Sequence, residues 1–344
     1  MPIASELRKA IENILFGDTL LPQEFTLGLP EPQTEIIVWL NGVGTPLDVT
    51  NRRSTVCAAP LTICIGFDEG QRPSEKDIDR LSLKFCERAG EKRVLGEIGL
   101  KVKAIVSAVG SEFILFEPRS SKNFCMPTAR LWAHYLLHAY RQWKNDNTKG
   151  IRMSFLEKRA AMVTFICPHP ILLVSVGSRD DGNIFPMNLL GELGNGYFGF
   201  ALRTERVAGG LIERAGRAAL SSMPLSQGAL AYRLAHNHTK KSIDWDKLPF
   251  ATKMSTVFNI PVPDFAQRVK EVEIEAVHTM GSHSFFVARL VHDEKFSDDV
   301  GFCSIHGFYQ YWRLRRLKDF NEAREVSLAA DTFSKRGRDH SQAI

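Results

Sequence analysis

Apolar and polar residues alternate along several short stretches of this chain, and in others the apolar positions recur at helical spacing. The stretch TEIIVWLNG (34–42) is β-branched and aromatic and ends on Asn-Gly, which predicts a strand and a turn. TVCAAPLTICIGF (55–67) is a nearly unbroken apolar run and predicts a buried strand. SEKDIDRLSLKFCERAG (74–90) has a serine to cap it, acidic residues in its first turn and a glycine past its end, which predicts a helix. LKVKAIVSAVGSEFILFEP (100–118) alternates on both sides of Gly110, as a hairpin does, and PTARLWAHYLLHAYRQWK (127–144) predicts an amphipathic helix. The polar, turn-forming NDNTKG (145–150) is the best linker candidate.

The second half runs through a similar series. AAMVTFICPHPILLVSVGS (160–178) and GYFGFALRT (196–204) predict strands around the loop RDDGNIFPMNLL (179–190). VAGGLIERAGRAAL (207–220) suits a helix, and VKEVEIEAVHTMGSHSFFVARLVHDE (269–294) an alternating hairpin. Five anchors fall in the same order in both halves: Gly66-Phe67 with Gly199-Phe200, ERAG at 87–90 with ERAG at 213–216, Gly110-Ser111 with Gly281-Ser282, Phe124-Cys125 with Phe302-Cys303, and AYRQWK with FYQYWR. This collinearity predicts an old internal duplication, with an extra segment of roughly 221–265 in the second copy. The expected divisions are an N-terminal helix and loop (1–32), a first half (33–144), a linker (145–154), a second half (155–318) and a polar tail (319–344).

Composition narrows the class. At 344 residues, 44% hydrophobic and 24% charged, the chain is an ordinary globular protein, long for one core and natural for two. The net charge of +5 is mild, and the basic clusters YWRLRRLK (311–318) and SKRGR (334–338) read as a solvated helix face and tail, with no nucleic-acid partner expected. The six cysteines form no CxxC pair and sit in apolar runs, the pattern of buried thiols in a reducing, cytoplasmic setting. The opening MPIASELRKAIENILFG interrupts its apolar residues with charges, and no run reaches the ~18 residues of a membrane span, so no membrane association is expected.

Metal chemistry finds little support. His134 and His138 are one helical turn apart but have no third ligand in pattern, and they sit in a helix rich in aromatics, so no metal site is expected. HNH (236–238) lies in a polar loop without a nuclease-like context, and Cys167 has no base beside it in sequence.

Three segments carry more. HPILLVSVGSRDDGNIFPMNLLGELGNGYFGFALRT, SIDWDKLPFATKMSTVFNIPVP and EIEAVHTMGSHSFFVARLVHDE, in this order, resemble the flavin reductase-like, FMN-binding split-barrel family over about 160–315. The resemblance implies a mainly β fold with helices (α+β), a Greek-key split β-barrel that works as a homodimer with FMN near the subunit interface. With the duplication, the expectation is tandem split barrels forming a pseudo-dimer within one chain, the first half a degenerate scaffold, with a homodimer of whole chains as a further option.

The residues fit that expectation. NIFPMN supplies Asn183, Ile184, Phe185, Pro186, Met187 and Asn188, where a chain can approach a flat ring. Arg203, Thr204 and Arg206 lie past a strand end beside a helix start, a cradle for phosphate. Lys247 matches the lysine of the family's DK segment, and His283 the hairpin histidine on the nicotinamide side, which makes it the expected catalytic residue. Gly-Ser-His stands where many relatives have Gly-Asp-His, and ELGNG where they have an FxPP element. The implied activity is FMN-dependent hydride transfer from NAD(P)H to bound flavin and on to free flavin, a partner oxygenase or a small substrate. The alternatives are a haem-binding or non-catalytic member of the class, or a structural, partner-binding protein with a decayed cofactor site.

Overall fold

The computed structural model describes residues 24–145 except 75 and 109, 153–316, and 327–328. The helix expected over 1–17, most of the linker and nearly all of the tail lie outside the described residues. The described chain is mainly β with a few helices, and none of those helices is long and apolar enough to cross a membrane.

Seven antiparallel strands form the first sheet: β1 (Ile36–Asn41), β2 (Leu47–Asp48), β3 (Arg53–Ala58), β4 (Leu61–Asp68), β5 (Ser82–Glu87), β6 (Val94–Ala108) and β7 (Ser111–Asn123), in the order β2-β1-β5-β6-β7-β4-β3. Seven more form the second: β8 (Leu172–Val176), β9 (Asn183–Met187), β10 (Leu190–Gly194), β11 (Tyr197–Arg203), β12 (Arg217–Ser222), β13 (Arg268–Met280) and β14 (His283–Lys295), in the order β9-β8-β12-β13-β14-β11-β10. The two orders are the same, strand for strand.

The long hairpins agree even in their irregularities. Pairing passes from Val102–Phe116 to Ala104–Leu115 in the first and from Ile274–Ala288 to Ala276–Val287 in the second, each through a bulge. A further bulge falls between Gly99–Ser120 and Leu100–Pro118, and its counterpart between Glu271–His292 and Val272–Leu290. The rungs closing the hairpins are Ala108–Ser111 and Met280–His283, so Ser111, and not Glu112, occupies the place of His283. The two ERAG segments are not equivalent: Glu87 of the first is the last residue of β5, while the second closes a helix, Val207–Ala215, with Gly216 as its C-cap.

Several local expectations change. The helix expected over 74–90 shrinks to one 3-10 turn, Ile78–Arg80, followed by β5. From Leu81 onward LSLKFCE alternates, and pairing with β1 on one side and β6 on the other outweighs the capping signal. The run 55–67 is two strands, β3 and β4, folded at Ala59-Pro60. AAMVTF belongs to a helix, because Ser154 and Glu157 form a complete capping box ahead of it. The helices are α1 (Thr128–Asn145), α2 (Phe155–Thr164), α3 (Val207–Ala215), α4 (Gly228–Leu234) and α5 (Gly307–Arg316).

A small sheet ties the chain's ends together. Strand Glu24–Leu29 pairs with Gly301–His306, which also pairs with His169–Pro170, and Ser327–Leu328 adds to the outer side of Glu24–Leu29. Leu27, Leu29, Phe308 and Tyr309 thereby join the core of the first sheet with α1 and α2. Arg313, from the basic cluster near the C-terminus, turns inward to grip Glu35 with both Nε and Nη2 at 2.9 and 2.6 Å, which removes it from any outward-facing basic surface.

The halves meet through strands β3 and β4 against β10, β11 and β14. Val56, Cys57, Cys64, Phe113 and Leu115 pack with Leu193, Tyr197, Met280, Phe285 and Val287. The backbones approach so closely that a Cβ on Gly66 would lie 1.8 Å from the Leu193 carbonyl oxygen. Ser54 Oγ also donates to the Gly199 carbonyl at 2.8 Å. All six cysteines are free and buried, as their apolar surroundings predict.

Candidate functional site

At one end of the second sheet the chain brings together the start of β9, the end of β11, the start of α3, the β13–β14 corner and a 3-10 turn, Ala235–Thr239, from the extra segment. Asn183 is fully buried and donates from Nδ2 to the carbonyls of Asn237 and Lys240, at 3.0 and 2.8 Å, so it anchors that turn. Ile184, Phe185 and Met187 are buried, and only Pro186 and Asn188 of NIFPMN keep partial exposure. Phe185 packs on His238, ring centroids 4.7 Å apart. His238 Nε2 is 2.8 Å from the Pro186 carbonyl, which can only accept, so that nitrogen carries the hydrogen.

Arg203 is partly exposed and forms the last rung of β11 opposite His283; Thr204 and Arg206 are exposed, with Arg206 the N-cap of α3. Among the described residues neither arginine has an ion-pair partner, and the neighbouring Glu205 points no bond at either. Both imidazoles beside them are neutral. Burial, then the Arg203 guanidinium, lowers the His283 pKa to about 4. Burial first and Arg206 after it also lower that of His238. Two arginines, a threonine and a helix N-terminus facing no carboxylate partner make a donor set suited to a phosphate monoester.

His283 is 4% exposed, with Nδ1 2.8 Å from Ser282 Oγ. Ser282 Oγ accepts from Ala59 N at 3.2 Å, and Ser282 N donates to the Ala59 carbonyl at 3.0 Å, so the corner docks on the first half. Cys57 of the first half completes the contact, its Sγ 3.6 Å from Ser282 Oγ and 3.9 Å from His283 Nδ1. Lys247 stands apart: it is 83% exposed and paired with Asp244 at 3.0 Å, on a segment packed against Gly182 through Trp245. The haem alternative gains nothing from this environment, because His283 is enclosed by Ser282 and Cys57 instead of facing an open position.

A cavity of about 370 Å³ lies at the opposite end of the second sheet, where β13 begins and β14 ends. Leu172, Leu190, Phe198, Leu220 and Phe302 line it from the second half, Arg53 from the first, and Leu29 from the strand Glu24–Leu29. None of the catalytic or cofactor-binding residues expected from sequence lines it, although Cys167 and the Phe302-Cys303 anchor do. His238, Ser282 and Cys57 were also missed. His238 had only the quoted HNH as a signal, and the other two act through contacts between halves that no local pattern encodes.

No protein-family model matches the chain, and no curated protein does. Among solved structures it is similar to an FMN-binding protein from Thermus thermophilus, 26% identical over 37% of this chain and 71% of that one, TM-score 0.34. It is also similar to the NADH:FAD oxidoreductase SgcE6 of Streptomyces globisporus C-1027, 16% identical over 44% and 89%, TM-score 0.38. A third is the styrene monooxygenase flavin reductase of Pseudomonas putida S12, 20% identical over 39% and 86%, TM-score 0.33.

Proposed function

We propose that the second half, residues 155–318, is a flavin-binding split barrel that holds FMN, and that the chain is an oxidoreductase of the flavin reductase type. In this reading NAD(P)H is the hydride donor, and electrons pass on to free flavin, a partner oxygenase or a small substrate. The observation that carries it is the pair Arg203 and Arg206, free of carboxylate partners among the described residues and set at the N-terminus of α3. This donor set fits the FMN phosphate. The bound flavin supplies the hydride chemistry, and the chain's share is to hold and orient it. Arg203, Thr204 and Arg206 hold the phosphate, and Pro186 and Asn188 border the ring. Ile184, Phe185 and Met187 do not fit a ring-contact role, since they are buried inside the sheet, and Asn183 is committed to the 237–240 turn. Lys247, paired with Asp244, has no role in this arrangement.

The shared strand order and bulges support reading residues 33–144 as a diverged copy, so that one chain makes the pseudo-dimer. The first half is then a scaffold, and buried free thiols suit a cytoplasmic protein. Titration of apo-protein with FMN and riboflavin tests the site. Arg203→Ala should weaken FMN by roughly ten- to a hundred-fold, the loss of a charge-assisted bond worth about 1.5–3 kcal/mol, and leave riboflavin nearly unchanged. Equal weakening of both removes Arg203 from the phosphate.

A further inference from the structure

We propose that the cavity between the halves is a binding site for a small amphiphilic monocarboxylate, its charge on Arg53 and its apolar body along Leu172, Leu190, Phe198, Leu220 and Phe302. This assignment goes beyond the flavin reading and stands without it.

Arg53 lies in the cavity wall and is 6% exposed. Its Nε has no hydrogen-bond partner, and among the described residues its guanidinium has no ion pair; it lies over the Phe85 face, 5.1 Å from the ring centroid. A guanidinium does not shed its proton, and burying a charge is costly unless an opposite charge compensates it. The other wall cations are already matched. Lys270 binds Glu192 at 2.6 Å, Arg268 binds Asp293 at 2.6 and 2.5 Å, and Lys295 pairs with Asp298. Of the remaining wall carboxylates, Glu31 is exposed at the rim and Asp299 accepts from Ser297 Oγ at 3.0 Å; neither reaches Arg53. His169, deeply buried, is neutral, its pKa lowered to about 3 by burial and by Arg53.

One buried cation is thus left over, in a wall whose other cations are paired and which is apolar along Leu172, Leu190, Phe198, Leu220 and Phe302. A single negative charge balances it, whereas a dianionic phosphate would bring a second charge with no partner. The planar fork of arginine matches a carboxylate. The volume of about 370 Å³ falls at the small end of ligand pockets and holds about a dozen water-sized units, enough for a ring or a medium-length chain.

Calorimetric titration of the full chain with octanoate, and with octanamide as its neutral counterpart, tests the site. Octanoate should saturate at one equivalent per chain, with octanamide at least ten-fold weaker. Arg53→Met should erase that preference and raise the melting temperature of the ligand-free protein, because it removes an uncompensated buried charge. Leu172→Trp, which fills the cavity, should abolish octanoate binding while the circular dichroism stays native. Prior saturation with octanoate should leave FMN affinity unchanged, since the two sites lie at opposite ends of the sheet. The proposal is overturned by an absence of saturable octanoate binding, by equal binding of acid and amide, or by unaltered octanoate binding in Arg53→Met. Mutual displacement of octanoate and FMN overturns it as well, by making the cavity part of the flavin site.

Discussion

Arg203 stands directly across the β11–β14 ladder from His283, and the corresponding rung of the first sheet pairs Asp68 with Ser111. One rung therefore carries a cation and an imidazole in one half, and a carboxylate and a hydroxyl in the other. The cation side is open to an anion. The carboxylate side is closed, because Arg52 grips Asp68 through two bonds of 2.7 and 3.2 Å.

Its own burial, and after it the neighbouring Arg203 guanidinium, keep His283 neutral down to pH about 4, well below the ordinary histidine value near 6.5. Its role near neutrality is then that of a fixed hydrogen-bonding group and not of a titrating acid. In NMR titration the His283 ring signal should stay constant between about pH 5.5 and 8. Flavin reduction should follow parallel pH profiles in the wild type and in His283→Gln. An inflection near 6.5 that disappears in the mutant would mean that the imidazole titrates in the working protein.

Three buried histidines predict acid sensitivity. Burial lowers the pKa of His169 and His306 to about 3 and that of His283 to about 4. Below about pH 6.5 the unfolded chain binds protons that the folded chain refuses, so stability is full above that pH and falls on acidification toward these folded values. His169 and His306 should each contribute a slope of up to about 1.4 kcal/mol per pH unit in that window. Urea unfolding at pH 7.5, 6 and 5 measures it above the range where most carboxylates titrate. A flat result would place these imidazoles in contact with water.

Much of the fold was legible in the sequence because strand signals are local: β1 and β11 fall inside segments expected to be strands, and both long hairpins where period-two alternation predicted them. The same period runs through LSLKFCE against the capping signal at Ser74, and only pairing on both edges decides between them. The corner motif Gly-Ser aligned the hairpins one residue out of register, since register is set by bulges that leave no sequence mark. At the site, Arg203 and Arg206 were legible as cations near a helix start. Arg53 was not: it sits in NRRST, where nothing in the sequence distinguishes a buried arginine from a surface one.

The joint between halves depends on the close approach at Gly66, so added bulk there should separate them. Gly66→Ala drives a Cβ into the Leu193 backbone, which has no side-chain freedom to yield, and should cost at least the upper end of the roughly 1–3 kcal/mol typical of overpacking. Gly210→Ala is the control. Its new Cβ meets only the end of Arg214 at 3.6 Å, inside α3, and should be neutral or stabilising by about 0.5–1 kcal/mol. Urea melts of both variants decide whether the joint or glycine content in general governs stability.

Binding stoichiometry distinguishes the two halves. If Arg203 and Arg206 hold the phosphate, the first half cannot offer a second site, because Asp68 occupies the place of Arg203 and is itself neutralised by Arg52. Titration of the apo-chain should saturate at one FMN. Arg203→Ala should weaken that single event, whereas Arg52→Ala should leave FMN affinity within about two-fold and cost at most about 1 kcal/mol, as expected for a partly exposed ion pair. Removing Arg52 also frees a carboxylate, which would repel phosphate and can only make a first-half site poorer. Two equal equivalents per chain, or FMN affinity that follows Arg52 and ignores Arg203, would assign the flavin to the half read here as scaffold.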